Sequence, residues 1–320
     1  MKIVVLDGKI ENPGDLSWDG IASQGELTVF DDTVYDEKAI VSRIGDAEVI
    51  YTNKTPVTEK ILAQCPNVRM ISVLATGYNV VDVQAAKKRG IPVTNVPCYG
   101  TQAVAQHTIA LLLELCNRVG HHSDAVHQGA WAKCGTWCFW DHPLIELSGK
   151  TLGIIGMGRI GAEVAKTARA LGMNVIAYSR SQRPEHEGLC QYVSFDDLLK
   201  NADVISLHCP QTENTSGLIC KETIRKMKDG AILLNTARGG LIVEADLAEA
   251  LSSGKLYAAA MDVMQTEPPK QDNPLLSCKN CLLTPHIAWA PKQSRQRLMD
   301  VAAENLRQFR TGTPINVVNP

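Results

Sequence analysis

The chain has 320 residues, of which 45% are hydrophobic and 21% charged, and its net charge is −2. This length and composition predict two globular domains with ample apolar residues for their cores. The near-neutral charge gives no reason to expect nucleic acid or an anionic membrane as a partner. No apolar stretch approaches the roughly 20 residues of a membrane span, and the N-terminus lacks the apolar region of a signal peptide. We therefore expect a cytoplasmic protein.

Short apolar strands alternate with helical patterns along the first hundred residues. The predicted strands cover residues 3–6, 26–30, 49–51, 70–73 and 93–95, and the helical patterns cover 35–44, 58–64 and 81–89. This alternation predicts a parallel sheet with helices on both faces.

A glycine fingerprint, G-M-G-R-I-G, begins at Gly156 and opens a second array of the same kind. It lies between an apolar strand at 150–155 and an amphipathic helix at 159–171, which is the context in which this motif binds a dinucleotide. Gly156 permits the tight turn, Gly158 lets the backbone approach the pyrophosphate, and Gly161 lets the helix pack on the strand. We expect the pyrophosphate at the helix N-terminus, where unpaired amides favour an anion. The cofactor-binding residues predicted at this turn are Gly156, Gly158, Arg159, Ile160 and Gly161.

The second array continues as far as residue 283. Its predicted strands cover 174–178, 204–208, 231–235, 257–261 and 281–283, and its predicted helices cover 195–201, 221–227 and 244–252. A long apolar helix is predicted at 104–119, and an amphipathic one at 291–310 is expected to return and complete the first domain. The fold class predicted is α/β, with two doubly wound parallel sheets.

Residues 121–147 gather large aromatic side chains in a polar, weakly periodic stretch: Trp131, Trp137, Phe139 and Trp140. Such a group favours a subunit interface and hence a homodimer, and the alternative is a loop that covers the cofactor domain. The ten cysteines are scattered through a large chain and are interpreted as free thiols. Cys278 and Cys281 have C-x-x-C spacing, but no second pair of ligands stands nearby, so we expect no metal site.

The residues after strand 174–178 bear on the choice of dinucleotide. An NAD-binding unit carries an acid about 20 residues past the fingerprint, but this chain has Ser179 and Arg180 there, followed by Arg183. Ser179 can donate a hydrogen bond, and the two arginines can pair with a 2′-phosphate. The sequence therefore favours NADP. NAD is the alternative if these arginines are only solvated loop residues.

Three candidate catalytic residues follow three successive predicted strands of the second array: Arg238, Glu267 and His286. Ligands bind at this edge of an open α/β sheet. Reduction of a 2-oxo acid needs a cation for the carboxylate, a proton for the carbonyl oxygen and a hydride donor. Arg238 offers a planar grip on a carboxylate, and His286 can give or take a proton near neutral pH. Glu267, if bonded to the far imidazole nitrogen, would fix the tautomer and favour the protonated ring.

Several motifs together resemble those of the D-isomer-specific 2-hydroxyacid dehydrogenases, over essentially the whole chain. They are the loop L-A-T-G-Y-N-V-V-D at 74–82, A-V-A-Q-H at 103–107, the fingerprint, N-T-A-R-G at 235–239, Asp262-Val263 with Glu267-Pro268, and T-P-H at 284–286. The resemblance implies that Arg238 binds the substrate carboxylate and carbonyl, and that Glu267 partners His286 as the acid and base.

The resemblance also implies further contacts. The amides around Thr76 and Gly77 would hold the substrate carboxylate, and Asp262 would contact the nicotinamide side. The remaining cofactor contacts implied are Pro210, Thr215, Thr236 and Ala237. The implied architecture is a Rossmann-type cofactor domain at 101–286 and a flavodoxin-like substrate domain built from 1–100 and 287–320, with the active cleft between them.

Within this family, N-K-T at 53–55 and H-I-A-W at 286–289 most resemble glycerate dehydrogenases, also called hydroxypyruvate reductases. The expected substrate is therefore hydroxypyruvate, glyoxylate or another short 2-oxo acid. Lys54 is the one residue that suggests a phosphorylated substrate, as in phosphoglycerate dehydrogenases, although we expect no further regulatory domain after Pro320. Two different functions are compatible with the same motifs: an NADH-sensing protein like the corepressors related to this family, and an enzyme that oxidises formate or phosphite.

Overall fold

The computed structural model describes residues 1–320, and the chain divides into two compact units. Unit one comprises Met1–Gly100 and Trp289–Pro320, and unit two comprises Thr101–Ala288. Each contains a sheet whose paired strands are all parallel. The predicted α/β class with two parallel sheets is therefore confirmed. None of the helices combines the length and the apolar character that crossing a bilayer requires.

Unit one is built on a five-stranded sheet. Its strands are β1 (Lys2–Val5), β2 (Glu26–Val29), β3 (Val49–Thr52), β4 (Met70–Val73) and β5 (Val93–Thr94), in the order β2-β1-β3-β4-β5. The helices between them are α1 (Asp19–Ala22), α2 (Glu37–Ile44), α3 (Glu59–Gln64) and α4 (Val83–Lys88). Both β3 and β4 are buried along their whole length, as expected for central strands with both faces covered.

Helices α2, α3 and α4 begin one or two residues after the predicted starts, because polar cap residues precede them. The side chains of Asp36, Thr58 and Asp82 accept hydrogen bonds from amides of the first turn. A cap residue keeps non-helical backbone angles while its side chain satisfies one of the orphan amides. The sequence pattern therefore identifies these helices, and the caps fix their first residues.

Unit two is built on a seven-stranded sheet. Its strands are β6 (Thr151–Ile155), β7 (Asn174–Tyr178), β8 (Gln191–Tyr192), β9 (Val204–Leu207), β10 (Ala231–Asn235), β11 (Leu256–Met261) and β12 (Cys281–Leu283). Its helices are α5 (Thr101–Asn117), α6 (Val119–His127), α7 (Ala130–Lys133), α8 (Arg159–Ala170), α9 (Phe195–Asn201), α10 (Lys221–Lys226) and α11 (Glu244–Ser252). The two-residue strand β8 was not predicted.

The strand order β12-β11-β10-β9-β6-β7-β8 reverses direction between β6 and β9. One apolar core lies between the sheet and helices α5 and α8, and another lies between the sheet and α9, α10 and α11. In open sheets of this kind, ligands bind beyond the carboxyl ends of the strands, at the point where the order reverses. The loops that follow β6 and β9 therefore define the expected nucleotide position.

The first helix of unit two, α5, differs from the predicted helix at both of its ends. The helix predicted at 104–119 starts at Thr101 and stops at Asn117, because Arg118 takes a left-handed conformation with φ 49° before α6 begins. Residues 121–127, which belong to the stretch predicted as weakly periodic, are helical and form most of α6.

The C-terminal helix α12 (Lys292–Arg310) belongs to unit one and packs against α1 and β4. The hydroxyl of the fully buried Tyr51 donates a hydrogen bond of 2.9 Å to the carbonyl of Ala302 in this helix. This bond satisfies the polar tip of a large core side chain.

Candidate active site

The fingerprint turn leaves open space at its second glycine, Gly158, and is tightly packed at Gly156 and Gly161. Gly156 has φ +101°, and a β-carbon there would lie 2.5 Å from the amide nitrogen of Cys209. A β-carbon at Gly161 would lie 2.5 Å from the carbonyl oxygen of Gly156. At Gly158, by contrast, no atom lies within 4 Å of that position. A side chain at Gly158 would fill this open space at the N-terminus of α8, so the turn fits a dinucleotide phosphate.

Residues after β7 carry positive charge and no acid. Arg180 is exposed and has neither an ion pair nor a hydrogen bond, and Ser179 beside it is partly buried. Arg183 pairs with Glu185 at 3.4 Å. One guanidinium thus stays available at the end of β7, where a ribose-binding acid is missing.

Loops that follow β9 and β10 are held by side-chain hydroxyls. Thr215 Oγ1 donates to the carbonyl of Pro210 at 2.7 Å and accepts from the amide of Thr212 at 2.7 Å. Thr236 and Thr108 share a hydrogen bond of 2.8 Å between their hydroxyls, which fastens the β10 loop to α5. These bonds fix the backbone of the predicted cofactor contacts.

Arg238 lies in the loop directly after β10 and is exposed. The backbone around it is braced by Asn235, whose amide group donates to the Arg238 carbonyl at 2.9 Å and whose oxygen accepts from the Ala237 amide at 3.0 Å. The guanidinium donates one bond, from Nη1 to the Ala237 carbonyl at 2.7 Å. Its other N–H groups remain available to an anion.

His286 and Glu267 form a direct pair in unit two. Nδ1 of His286 lies 2.6 Å from Oε2 of Glu267, and each side chain is 33% exposed. The other carboxylate oxygen, Oε1, accepts a hydrogen bond of 3.0 Å from the amide of Met264. Because Glu267 takes the Nδ1 side, Nε2 is the ring nitrogen left for chemistry.

Asp262 holds the loop on which His286 lies. Its carboxylate is 1% exposed and accepts hydrogen bonds from the Thr284 hydroxyl at 2.6 Å and from the amides of Ile287 and Ala288 at 2.9 Å each. Burial by itself raises the pKa of this carboxyl, but the hydrogen bonds, including those from His107 and Thr284, hold the pKa below its ordinary value. Both carboxylate oxygens of Asp262 therefore accept hydrogen bonds from within the protein.

His286 itself adopts the left-handed region with φ 55°, and its amide donates to the Asp262 carbonyl at 2.8 Å. A side chain other than glycine rarely occupies this region without support from the surrounding structure. The Asp262 network provides that support.

Thr76 and Gly77 lie in unit one, in the loop after β4. The Thr76 hydroxyl donates to the Val96 carbonyl at 2.9 Å, and the Asn95 side chain donates to the Thr76 carbonyl at 2.7 Å. The amides of Thr76 and Gly77 donate no hydrogen bond within the protein. The loop therefore offers two fixed, unused amides.

Comparisons with known proteins identify the family of this chain. The sequence profile for the NAD-binding domain of D-isomer-specific 2-hydroxyacid dehydrogenases matches residues 109–288. A hydroxypyruvate reductase of Blautia hydrogenotrophica is 58% identical to the chain, with all of both chains covered. The chain belongs to the D-isomer-specific 2-hydroxyacid dehydrogenase family. A glycerate dehydrogenase of Methylorubrum extorquens is 40% identical over 90% of each chain.

One solved structure of the family shows the same fold with ligands. It is a D-lactate dehydrogenase of Aquifex aeolicus in complex with NAD and lactic acid. Its sequence is 31% identical to this chain, and the match covers 100% of this chain and 99% of the other. The two structures superpose with a TM-score of 0.84. The resemblance stated from the sequence motifs is thereby confirmed. The chain is an NAD(P)-dependent D-2-hydroxyacid dehydrogenase, an oxidoreductase that interconverts 2-oxo and 2-hydroxy acids.

The sequence analysis assigned no role to two histidines near these loops. His107 Nε2 lies 3.1 Å from the Thr284 hydroxyl and 3.5 Å from Asp262, so both residues extend the Asp262 network. His208 follows β9 at the reversal of strand order, and its Nε2 bonds the Ser206 hydroxyl at 2.8 Å. Burial lowers the pKa of His208 to about 4, so the ring is neutral at pH 7. Only the positions of these histidines could have indicated a role. His107 belongs to the A-V-A-Q-H motif at 103–107, and His208 ends a predicted strand.

Proposed function

We propose that this dehydrogenase reduces a short 2-oxo acid, hydroxypyruvate or glyoxylate, to the D-2-hydroxy acid, and catalyses the reverse oxidation. The observation that carries the proposal is the 2.6 Å pair between His286 and Glu267 in the same unit as the fingerprint turn. The relatives named as hydroxypyruvate reductase and glycerate dehydrogenase support the choice of substrate.

His286 is the proton donor in this proposal. Glu267 accepts the hydrogen bond of Nδ1, so the proton to be transferred lies on Nε2 and is given to the carbonyl oxygen of the substrate. The negative charge of Glu267 stabilises the imidazolium before that transfer. When bound, the reduced nicotinamide supplies the hydride that adds to C2 of the substrate. The hydride and the proton together convert the ketone to a hydroxyl, and in the reverse direction His286 takes the proton back.

The substrate carboxylate needs positively polarised partners. Arg238 presents N–H groups that are unused within the protein, and a guanidinium matches a carboxylate in a two-pronged hydrogen bond. The unused amides of Thr76 and Gly77 suit the same charge. We assign substrate binding to Thr76, Gly77, Arg238 and His286, with unit one as the substrate domain and unit two as the cofactor domain.

We propose NADP as the preferred cofactor, with NAD as the alternative. The free guanidinium of Arg180 and the absence of an acid at 179–183 support this choice, because a 2′-phosphate needs a cation where NAD-binding units place a carboxylate. Gly156, Gly158, Arg159, Ile160 and Gly161 would hold the pyrophosphate. The remaining proposed contacts are Ser179, Pro210, Thr215, Thr236, Ala237 and Asp262.

We also propose a homodimer in the cytoplasm, with residues 121–147 at the subunit contact. Trp131, Trp137 and Trp140 are 51%, 86% and 64% exposed in the single chain, and exposed aromatic groups of this size are typical of interfaces. Light scattering of the purified protein tests this proposal. A mass of one chain at micromolar concentration would contradict it.

The substrate proposal is tested by steady-state assays with NADPH and a panel of 2-oxo acids. We expect the highest kcat/KM with hydroxypyruvate or glyoxylate, and loss of turnover in Arg238→Ala. Arg225→Ala is the matched control, because this exposed arginine lies on α10 and has no hydrogen bond. A kcat/KM for 3-phosphohydroxypyruvate far above all other acids would instead assign a phosphoglycerate dehydrogenase, with Lys54 as the phosphate ligand to examine.

A further inference from the structure

Three histidines converge on one carboxylate in the segment that follows α5. Nε2 of His121 lies 2.6 Å from Oδ2 of Asp141, and Nε2 of His122 and of His142 lie 3.3 and 3.8 Å from Oδ1. The rings also contact one another, with centroids 5.3 Å apart for His121 and His122 and 4.8 Å apart for His121 and His142. This histidine cluster, consisting of His121, His122, Asp141 and His142, is outside the fingerprint turn and the catalytic loops.

The orientation of His122 indicates that its Nε2 is a ligand atom. Its Nδ1 lies 2.9 Å from the carbonyl oxygen of Arg118, which can only accept a hydrogen bond, so Nδ1 carries the proton. In the neutral ring, Nε2 then has a lone pair. This nitrogen is buried and has no hydrogen-bond partner, although it faces the Asp141 carboxylate. A lone pair that faces a carboxylate is repelled unless a cation lies between them.

A backbone carbonyl on the far nitrogen is also what commonly orients a metal-binding histidine. The Arg118 carbonyl is fixed in space because Arg118 makes the left-handed turn between α5 and α6. The ring of His122 is therefore oriented before any ion arrives.

The spacing fits a small divalent ion. Ligand atoms of His121, Asp141 and His142 all lie within 4.8 Å of one another. A tetrahedral ion with bonds of about 2.1 Å places its ligands about 3.4 Å apart. The distances from Oδ1 of Asp141 to Nε2 of His122 and of His142, 3.3 and 3.8 Å, lie on both sides of that value, and His121 lies against the other oxygen at 2.6 Å.

We propose that the histidine cluster binds one divalent transition-metal ion, through Nε2 of His121, His122 and His142 and one oxygen of Asp141. Three imidazoles and one carboxylate are the ligands that Zn²⁺ and its neighbours take in proteins, whereas Mg²⁺ and Ca²⁺ take oxygen ligands. The ion would fasten α6 to residues 141 and 142, which lie beyond α7 in the chain. A four-ligand site of this kind is structural, because no open position remains for a substrate.

The test is Zn²⁺ binding to the full chain after treatment with a chelator, measured by competition with a chromophoric chelator. We expect one tightly bound ion per chain, and affinity at least ten-fold weaker in Asp141→Asn and in His142→Ala. His127→Ala is the matched control, because this exposed histidine lies on the same helix and outside the cluster. It is expected to leave the affinity unchanged. Both cluster variants are expected to retain turnover of the metal-free enzyme, which shows that they are folded.

Substitution with Co²⁺ identifies the ligands. We expect visible d–d bands of a tetrahedral site without a thiolate charge-transfer band in the near ultraviolet. Such a band would place the ion on cysteines such as Cys278 and Cys281 and overturn the proposal. Equal Zn²⁺ affinity in wild type, Asp141→Asn and His142→Ala would also overturn it, as would loss of the tight ion in His286→Ala. Absence of tight Zn²⁺ binding by the wild-type chain would overturn the proposal as well.

Discussion

Replacement of Asp262 by asparagine tests whether this carboxylate positions His286. The substitution keeps the size of the side chain but turns one oxygen into an NH₂ group. The carboxylate now accepts hydrogen bonds from the Thr284 hydroxyl and from the amides of Ile287 and Ala288. At least one of these donors would face another donor in the variant. One lost bond to a charged group costs about 1.5–3 kcal/mol, and one buried unsatisfied donor costs about 1–3 kcal/mol.

We therefore expect a local penalty of about 2.5–6 kcal/mol, by summing those two costs. Most of this range exceeds the roughly 1–3 kcal/mol needed to hold a residue such as His286 in a left-handed conformation, so the loop would relax away from its present form. A displaced proton donor lowers kcat by about 100-fold, which corresponds to about 2.7 kcal/mol. The KM for the nucleotide would change little if Asp262 acts only through the loop, and would rise if it contacts the nicotinamide.

The assay compares steady-state kinetics and thermal unfolding of Asp262→Asn with those of Asp272→Asn. Asp272 is exposed and has no hydrogen bond, so its substitution controls for the loss of one charge in unit two. We expect the control to stay within two-fold of wild type. If Asp262→Asn kept more than a third of the wild-type kcat and unfolded at the same temperature, the positioning argument would be refuted.

Three further predictions concern single residues. Glu267→Gln removes the charge 2.6 Å from His286 and is expected to lower kcat by about 10- to 100-fold, with the loss in kcat rather than in nucleotide KM, measured by steady-state kinetics. Gly158→Val fills the open space at the α8 N-terminus, so we expect nucleotide affinity to fall at least ten-fold, measured by quenching of protein fluorescence. Gly120→Val is the control and is expected to leave the affinity unchanged, because this exposed glycine has no positive φ and a β-carbon there meets only an ordinary contact of 3.6 Å. Burial, followed by the nearby charge of Asp7, raises the pKa of Glu11 from 4.5 to about 8, so the folded protein keeps this carboxyl protonated over a range in which the unfolded chain ionises it. The contribution of Glu11 to stability is then greatest below pH 4.5 and falls as pH rises towards 8, by about 1.4 kcal/mol per pH unit. Denaturant unfolding at pH 5 and pH 7 checks this, because Glu11→Gln should remove a difference of about 3 kcal/mol, and an equal pH response in both proteins would contradict it.

The parallel strands could be predicted from the sequence because each is a short, largely apolar run. The runs at 174–178, 231–235 and 281–283 coincide with β7, β10 and β12. The short β8 was missed because two residues at the sheet edge carry no periodic signal. The predicted continuation of the helix past residue 117 failed for a different reason. The left-handed Arg118 is a backbone conformation that apolar periodicity does not report.

The catalytic residues of the candidate site could be predicted because their side-chain chemistry occurs directly after strand ends. Arg238, Glu267 and His286 each follow a strand, and the sequence analysis anticipated the contact between Glu267 and the imidazole. It did not anticipate that Asp262 would be buried with its oxygens used by Thr284 and two amides, because partners of a buried carboxylate depend on loop geometry. The histidine cluster was missed for a similar reason, since His121 and Asp141 are 20 residues apart and meet only in the folded chain.

The most direct test of the proposed mechanism is kcat of His286→Asn in hydroxypyruvate reduction, measured together with the affinity of the same protein for NADPH. We expect kcat to fall by about 100- to 10,000-fold, the usual contribution of a general acid, while the dissociation constant for NADPH stays within two-fold of wild type. A variant that binds NADPH normally and keeps kcat within ten-fold of wild type would contradict the assignment of His286 as the proton donor.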